Sequence, residues 1–297
     1  MLQKIKRLIP KRLKSVTEYW TEHNVTNHQE FKSARESEES FFWRTLQYPG
    51  YLELMPVNQA DGKAILDYGC GPGHDAVGFV MFSQPQKLVC ADISTSSLSE
   101  AKKRMNLHDP KCDVEFVNID EQTPRLPFED NTFDIIHCSG VLMCTREHKQ
   151  ILSEFKRIMK QDGYAQIMVY NYNSIWMHLY VNYIVRIQQG KYSGLSNRDA
   201  FSKTTDGPNC PYMDCYTPDE YIEFVQSVGG LICSLTGVSM SSHEMNQLPL
   251  RYKALQNTEL CLESREFLYN LTFDKRGFPL YNNNVAGINA CFKVAKL

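Results

Sequence analysis

The stretch ILDYGCGPGHD, residues 65–75, sets an acid and three glycines at fixed intervals. Asp67 is followed by Gly69, Gly71 and Gly73 at every second position. Glycines spaced in this way are costly to order unless something approaches the backbone closely. A dinucleotide-binding turn reads G-x-G-x-x-G after its first strand. Here the place of the third glycine holds His74, and Pro72 stiffens the turn. Asp67 would also lie beside a pyrophosphate, where its charge is unfavourable. A cationic ligand, such as a sulfonium carrying an ammonium group, would gain from the same carboxylate. Two more acids end apolar runs downstream: Asp92 in KLVCADI and Asp120 in VEFVNID. Asp92 is placed to accept both hydroxyls of a ribose in a fork, as an acid does in NAD sites. The plainer alternatives are a helix cap for Asp92 and a turn residue for Asp120.

These residues need elements to hold them. AILDY (64–68) is a short apolar run ending at glycines, the pattern of a buried parallel strand. DAVGFVMF (75–82) reads as a helix and KLVCADI (87–93) as a second strand. Ser97 and Glu100 have capping-box spacing, so the next helix is expected to start near Leu98. VEFVNID (114–120) and FDIIHCSGVL (133–142) are the third and fourth strands. Ile151, Phe155, Ile158 and Met159 share one helical face, Gly163 is the expected helix stop, and YAQIMVYN (164–171) is a fifth strand. Alternation of this kind predicts an α/β fold with a doubly wound sheet.

Residues 172–217 break the rhythm, and their Tyr, Asn, Gly and Ser content reads as an irregular lid or substrate loop. Pro218 follows Thr217 as a helix start, LICSLTGVSM (231–240) is a sixth strand, and GINACFKVAKL (287–297) a final antiparallel one. The expected whole is a seven-stranded, mostly parallel sheet. Residues 1–58 are expected to form an N-terminal helical cap. Residues 59–297 form the sheet domain, with substrate-side insertions at 172–217 and 246–284.

ILDYGCGPG resembles motif I of the class I S-adenosylmethionine (SAM)-dependent methyltransferases, and the resemblance continues through the next four strands. ADIS (91–94) is similar to motif II, and Asp120 with Ile119 matches the position that receives the adenine amino group. LPFEDNTFDIIHCSGVL (126–142) resembles the segment before and along strand four, with Ser139 at the place facing the methionine part of SAM. FKRIMKQDGYAQIMVYN (155–171) resembles the helix, glycine turn and fifth strand of the small-molecule branch. The resemblance implies a Rossmann-like methyltransferase fold, SAM as cofactor and S-adenosylhomocysteine (SAH) as product. It assigns the cofactor to Asp67, Gly69, Cys70, Gly71, Gly73, His74, Asp92, Ile93, Ile119, Asp120 and Ser139. In similar enzymes N-terminal helices close over SAM and acceptor. Trp20 and Arg44 are placed there for the cofactor, Arg44 as a partner for its carboxylate, and Tyr19 for the acceptor. The alternative is that the aromatic residues of VTEYWTEHN (16–24) and ESFFWRTLQYPGY (39–51) only pack a helix on the sheet.

Methyl transfer from SAM is a displacement at a carbon already activated by positive sulfur, so the protein's task is alignment and exclusion of water. A hydroxyl acceptor also needs a general base, whereas an amine must arrive neutral. His148 in TREHKQ and His243 in SSHEM are the base candidates, with His178, Asp206 and Asp214 behind them. His148 reads equally as an exposed residue of a first helical turn, and His243 as a surface residue. Cys144 stands where similar enzymes often carry histidine. Tyr170 ends strand five, and Asp206 and Tyr212 lie in TTDGPNCPYMDCYTPDE (204–220), where the family's small-molecule branch places acceptor loops. Their side chains suit a hydroxylated or amino-bearing metabolite, a sugar or sugar conjugate among them. A purely structural loop is the alternative.

The 297 residues carry a net charge of −2, which argues against a nucleic-acid partner. The one basic run, MLQKIKRLIPKRLK (1–14), offers a membrane-surface contact or is simply a solvated helix. Pro10 and its charges exclude a signal peptide, and polar residues break the longest apolar stretch, so no transmembrane segment is expected. Ten scattered cysteines without a CxxC pair indicate a reduced, cytoplasmic chain without a metal site. The leading expectation is a SAM-dependent methyltransferase acting at oxygen or nitrogen of a small metabolite. A tRNA or rRNA methyltransferase and a noncatalytic SAM-binding scaffold are the alternatives. Oligomeric state is not readable from the sequence.

Overall fold

The computed structural model describes residues 14–23, 30–120, 123 and 125–297. Residues 1–13 of the basic run therefore lie outside the described residues. Ser15 caps α1 (Val16–Glu22) with a capping box to Glu18, and Ser33 caps α2 (Ala34–Gln47). A single turn, α3 (Tyr51–Leu54), follows. β1 (Ala64–Tyr68) is buried at all positions, as a strand covered on both faces must be. Gly73 ends the glycine turn in the left-handed region and starts α4 (His74–Phe82). Gly78 makes room for α2. A Cβ there would lie 2.7 Å from the Phe41 ring, and Phe41 is fully buried. Its burial contributes about 2–3 kcal/mol to docking α2 on α4.

β2 (Lys87–Asp92) leads into α5 (Thr95–Leu107). The cap of α5 is Ser94, whose side chain accepts from the Ser97 N–H, so the helix starts earlier than the Ser97–Glu100 spacing suggests. Asp92 is not the cap either. β3 (Asp113–Asn118) is the sheet edge, half exposed along its length. β4 (Phe133–Ser139) is followed by α6 (His148–Ile158), which buries His148, Leu152, Phe155 and Ile158. Met159 already belongs to β5 (Met159–Tyr170). Gly163 stands inside that strand and is no helix stop: a Cβ would lie 2.9 Å from the Phe133 carbonyl oxygen.

The stretch 172–217 is more regular than its composition suggests. It holds a 13-residue π-helix, Trp176–Gln188, and α7 (Asn197–Thr205). The π-helix buries Leu179 and Tyr183 together with Leu260, Phe267 and Leu268 from the second insertion, so the two insertions share one satellite core. α8 (Pro218–Gln226) has Thr217 as cap in a capping box with Glu220. β6 (Leu231–Ser239) precedes α9 (Ser242–Gln247), α10 (Arg251–Gln256) and α11 (Leu262–Tyr269). A small three-stranded ribbon over 272–285 follows. β7 (Asn289–Lys296) then inserts antiparallel between β5 and β6. The main sheet has seven strands in the order β3-β2-β1-β4-β5-β7-β6. Its direction of winding reverses between β1 and β4, the place where open α/β sheets bind ligands at their carboxyl ends.

Candidate functional site

At the switch point Asp67, on β1, pairs in register with His137 on β4. Asp67 is buried, and among the described residues its Oδ2 has no hydrogen-bond partner. Burial is the main reason its carboxyl is pushed up to about 7. The turn beyond it is pinned from below, because the Gly69 and Cys70 N–H groups both donate to the Ala91 carbonyl at the end of β2, at 2.7 and 3.1 Å. Asp92 adds a second anchor. Its Oδ2 accepts from Gly71 N–H and its Oδ1 from Ser94 N–H, each at 2.8 Å. Gly69, Gly71 and Gly73 all have positive φ. A Cβ on Gly71 would meet nothing within 4 Å, so this turn borders open space.

Ile93 and Ile119 flank Asp92 across β2 and β3, and Ile119 N–H donates to the Asp92 carbonyl at 3.1 Å. Asp120 follows, exposed, with Thr123 donating to its carboxylate at 3.1 Å. Ser139 ends β4 with its hydroxyl 2.5 Å from that of Tyr51. His74 is buried and stacks on Phe41 at 5.0 Å, and Gly73 rather than His74 occupies the cap position.

Arg44 reaches this region from α2, and its Nη1 donates to Asp75 Oδ1 at 3.0 Å. Asp75 Oδ2 lies 3.1 Å from His137 Nε2, and His137 Nδ1 lies 2.7 Å from Gln166 Nε2. Arg44 and His137 together hold the Asp75 carboxyl far below the usual range despite its burial. An ion pair within the chain therefore engages the group expected to meet a ligand carboxylate. Asp75, His137 and Gln166 were not singled out from the sequence. Asp75 directly follows the glycine motif, which is the one local signal available.

The acceptor candidates converge on Asp206, directly after α7. Tyr170 Oη donates to its Oδ1 at 3.0 Å and Cys144 Sγ to its Oδ2 at 3.8 Å, while Tyr19 Oη donates to its backbone carbonyl at 2.5 Å. Burial pushes the Asp206 carboxyl up to about 6. Trp20 lies edge-on to Tyr19 at 5.1 Å. α1 thus bridges two segments: Tyr19 bonds the Asp206 segment, and the Thr21 carbonyl accepts from Ser96 Oγ of α5 at 2.8 Å. Tyr212 stands beside this group with Arg146 over its ring at 4.8 Å.

Neither histidine expected as a base bonds to Asp206 among the described residues. His148 is not exposed. It is buried, with Nε2 at 3.2 Å from Tyr221 Oη and its ring 4.7 Å from that of Phe224. Burial pushes it down to about 3, so it is neutral at pH 7 and a weak base. His243 sits on α9 against Tyr180 and Trp176, at 4.6 and 5.2 Å. His178 belongs to the satellite core, stacked on Phe267 at 4.2 Å.

The family model described as a methyltransferase domain matches residues 59–227. The chain belongs to the class I SAM-dependent methyltransferase family. An uncharacterized methyltransferase of Schizosaccharomyces pombe, C1B3.06c, is 31% identical to this methyltransferase over 130 residues, covering 43% of this chain and 46% of its own. The ubiquinone/menaquinone biosynthesis C-methyltransferase UbiE of Hahella chejuensis is 28% identical, covering 37% and 44%. The chain thus spans less than half the length of these curated relatives. Among solved structures, the YcgJ protein from Bacillus subtilis superposes with a TM-score of 0.50 at 17% identity, covering 82% of this chain and 96% of that one. The likeness extends the methyltransferase fold beyond the matched segment. No helix among the described residues is long and apolar enough to cross a membrane.

Proposed function

We propose that this methyltransferase binds SAM at the β1–β4 switch point and transfers its methyl group to oxygen or nitrogen of a small metabolite held against the Asp206 group. One observation carries the reading: the unpartnered Oδ2 of buried Asp67 beside a glycine turn that borders open space. A buried carboxylate oxygen without a partner is costly, and a ligand carrying positive charge relieves that cost. SAM carries two such groups, so the residues fit it.

In this reading the backbone of Gly69, Cys70, Gly71 and Gly73 cradles the cofactor. Each Asp92 oxygen uses one lone pair on the backbone and keeps another for a ribose hydroxyl. Ile93, Ile119 and Asp120 border the adenine, and Ser139, oriented by Tyr51, faces the methionine portion. His74 supports the turn through Phe41. Trp20 and Arg44 belong to a cap formed within residues 1–58. When bound, SAM supplies the activated methyl group. The protein aligns the acceptor in line with it and keeps water out. Tyr19, Tyr170, Asp206 and Tyr212 form the acceptor side. The product is SAH.

Calorimetric titration with SAM and with SAH tests this reading, with Asp92→Ala as control. The expected result is saturable binding of both ligands by the wild type and at least tenfold weaker binding by the variant. A folded wild type that binds neither ligand would rule it out.

A further inference from the structure

A further property of the Asp206 group narrows the acceptor class, resting on the reading above. The neighbours of this carboxylate come from five parts of the chain. Tyr170 of β5 and Cys144 after β4 bond the carboxylate and Tyr19 of α1 bonds the backbone carbonyl, while Tyr48 after α2 and Cys210 just beyond Asp206 lie within electrostatic range. Burial raises every one of these phenols and thiols, so all are neutral at pH 7. Trp176 adds an indole, with Nε1 donating to Thr205 Oγ1 at 3.0 Å.

Asp75, Asp134 and Glu244 are better served, whereas Asp67, at the candidate cofactor site, also lacks a partner at Oδ2 among the described residues. Asp75 has Arg44 and His137, and Asp134 has Lys160 at 2.7 Å. Glu244 has no cation but accepts from the Ser241, Trp176 and Ile288 N–H groups and from Ser241 Oγ. Among the described residues, Asp206 has no ion pair with a lysine, arginine or histidine, and one of its two carboxylate contacts is a thiol at 3.8 Å. A half-buried carboxylate with so few partners is stabilised most by a cation. The aromatic side chains beside it add attraction for the same charge.

We propose that Asp206, held by Tyr19 and Tyr170, binds the ammonium group of an amine acceptor and takes one of its protons. The N–H electron pair stays on nitrogen and forms the N–CH3 bond. The S–CH3 bond of the methylsulfonium donor breaks with its pair returning to sulfur. The product leaves as a methylammonium ion, and the proton on Asp206 passes to solvent. Asp206 is the catalytic residue, while Tyr170 and Tyr19 are positioning residues that hold its carboxylate and its backbone.

The test uses the full chain, with and without saturating SAH, and tetramethylammonium chloride as the probe. Binding is followed by tryptophan fluorescence and by the 13C carboxyl resonance of Asp206, assigned by its absence in Asp206→Asn. The probe should bind saturably and move the Asp206 titration midpoint to lower pH. Sodium chloride at equal ionic strength and tert-butanol, a neutral analogue of similar shape, should do neither. Asp206→Asn should bind the probe at least tenfold more weakly and retain SAH affinity. The proposal is overturned if the wild type shows no shift, or if tert-butanol binds as well as the cation. Loss of SAH binding by the wild type would count against the cofactor reading alone, because the probe titration is read independently of SAH.

Discussion

The guanidinium of Arg44 on α2 is 3.0 Å from the carboxylate of Asp75 on α4, and this pair ties the N-terminal helices to the glycine turn. The tie continues inward through His137 to Gln166, whose Nε2 also donates to the Pro56 carbonyl at 3.0 Å. Cap, turn and two central strands thus share one polar network beneath the candidate cofactor site.

Arg44→Ala should therefore cost about 3 kcal/mol, because it leaves Asp75 enclosed with a weaker partner. Urea unfolding midpoints measure this. The sign with pH follows from Asp75, which is held below its ordinary value mainly by Arg44 acting against burial. Its contribution is complete above about pH 3.9, the unfolded value, and is lost as pH falls through the depressed folded value. The variant should show a weaker loss on acidification. Equal acid sensitivity in the two proteins would show that the pair is not the source.

Asp67 has the opposite sign. Its folded value, about 7, lies above the unfolded one, so its stabilising effect is present at low pH and fades as pH rises toward 7. A cation beside it favours the ionised form. SAM should bind up to about tenfold more tightly per pH unit up to that midpoint, then level off. Calorimetric Kd values across pH 6 to 8.5 check this, and Asp67→Asn should flatten the profile.

Two glycines of one turn should fail differently. Gly71 has φ +53° and open space where a Cβ would go. Gly71→Ala should lose only about 1–2 kcal/mol of stability from left-handed strain, yet weaken SAM binding at least tenfold by filling the space above the turn. Gly69 has φ +73°, and a Cβ there would lie 2.2 Å from Val141 Cγ2. Gly69→Ala should lose about 3 kcal/mol, because strain and overpacking combine. Thermal unfolding beside calorimetry separates the two cases.

His148 should behave as a core residue. It lies among Tyr216, Tyr221 and Phe224, and His148→Ala should cost about 2–4 kcal/mol while leaving SAH affinity within about twofold. Its folded value of about 3 lies below the unfolded value of about 6.5, so this residue makes the wild type lose stability as pH falls between those values. Stability curves at pH 5 and 7.5 should show a smaller difference for the variant.

The sequence by itself determined the parts of this protein that are local. Asp67, the glycine turn and the first turn of α4 are contiguous, so the acid, the close approach and the cation preference are all readable within eleven residues. Alternating apolar runs likewise determined the doubly wound sheet and the antiparallel last strand. Small shifts in local chemistry were less legible. Ser94 and Ser97 are both able to cap, and the choice fell to Ser94 because Asp92, at the end of β2, fixes its N–H at 2.8 Å.

Only the tertiary structure decided which groups meet. Asp206 touches Tyr19, Tyr170 and Cys144 across separations of 187, 36 and 62 residues, and no periodicity encodes such distances. The helical start at His148 was readable, but its burial was set by α8, which covers that face with Tyr221 and Phe224. The stretch 172–217 looked irregular because its helices have polar residues at buried positions. His178 and Asn182 are tolerated there because Ser264 of α11, from the other insertion, meets them at 3.1 and 2.8 Å. Here the polar side chains of the satellite core are held by partners that come from a distant part of the chain.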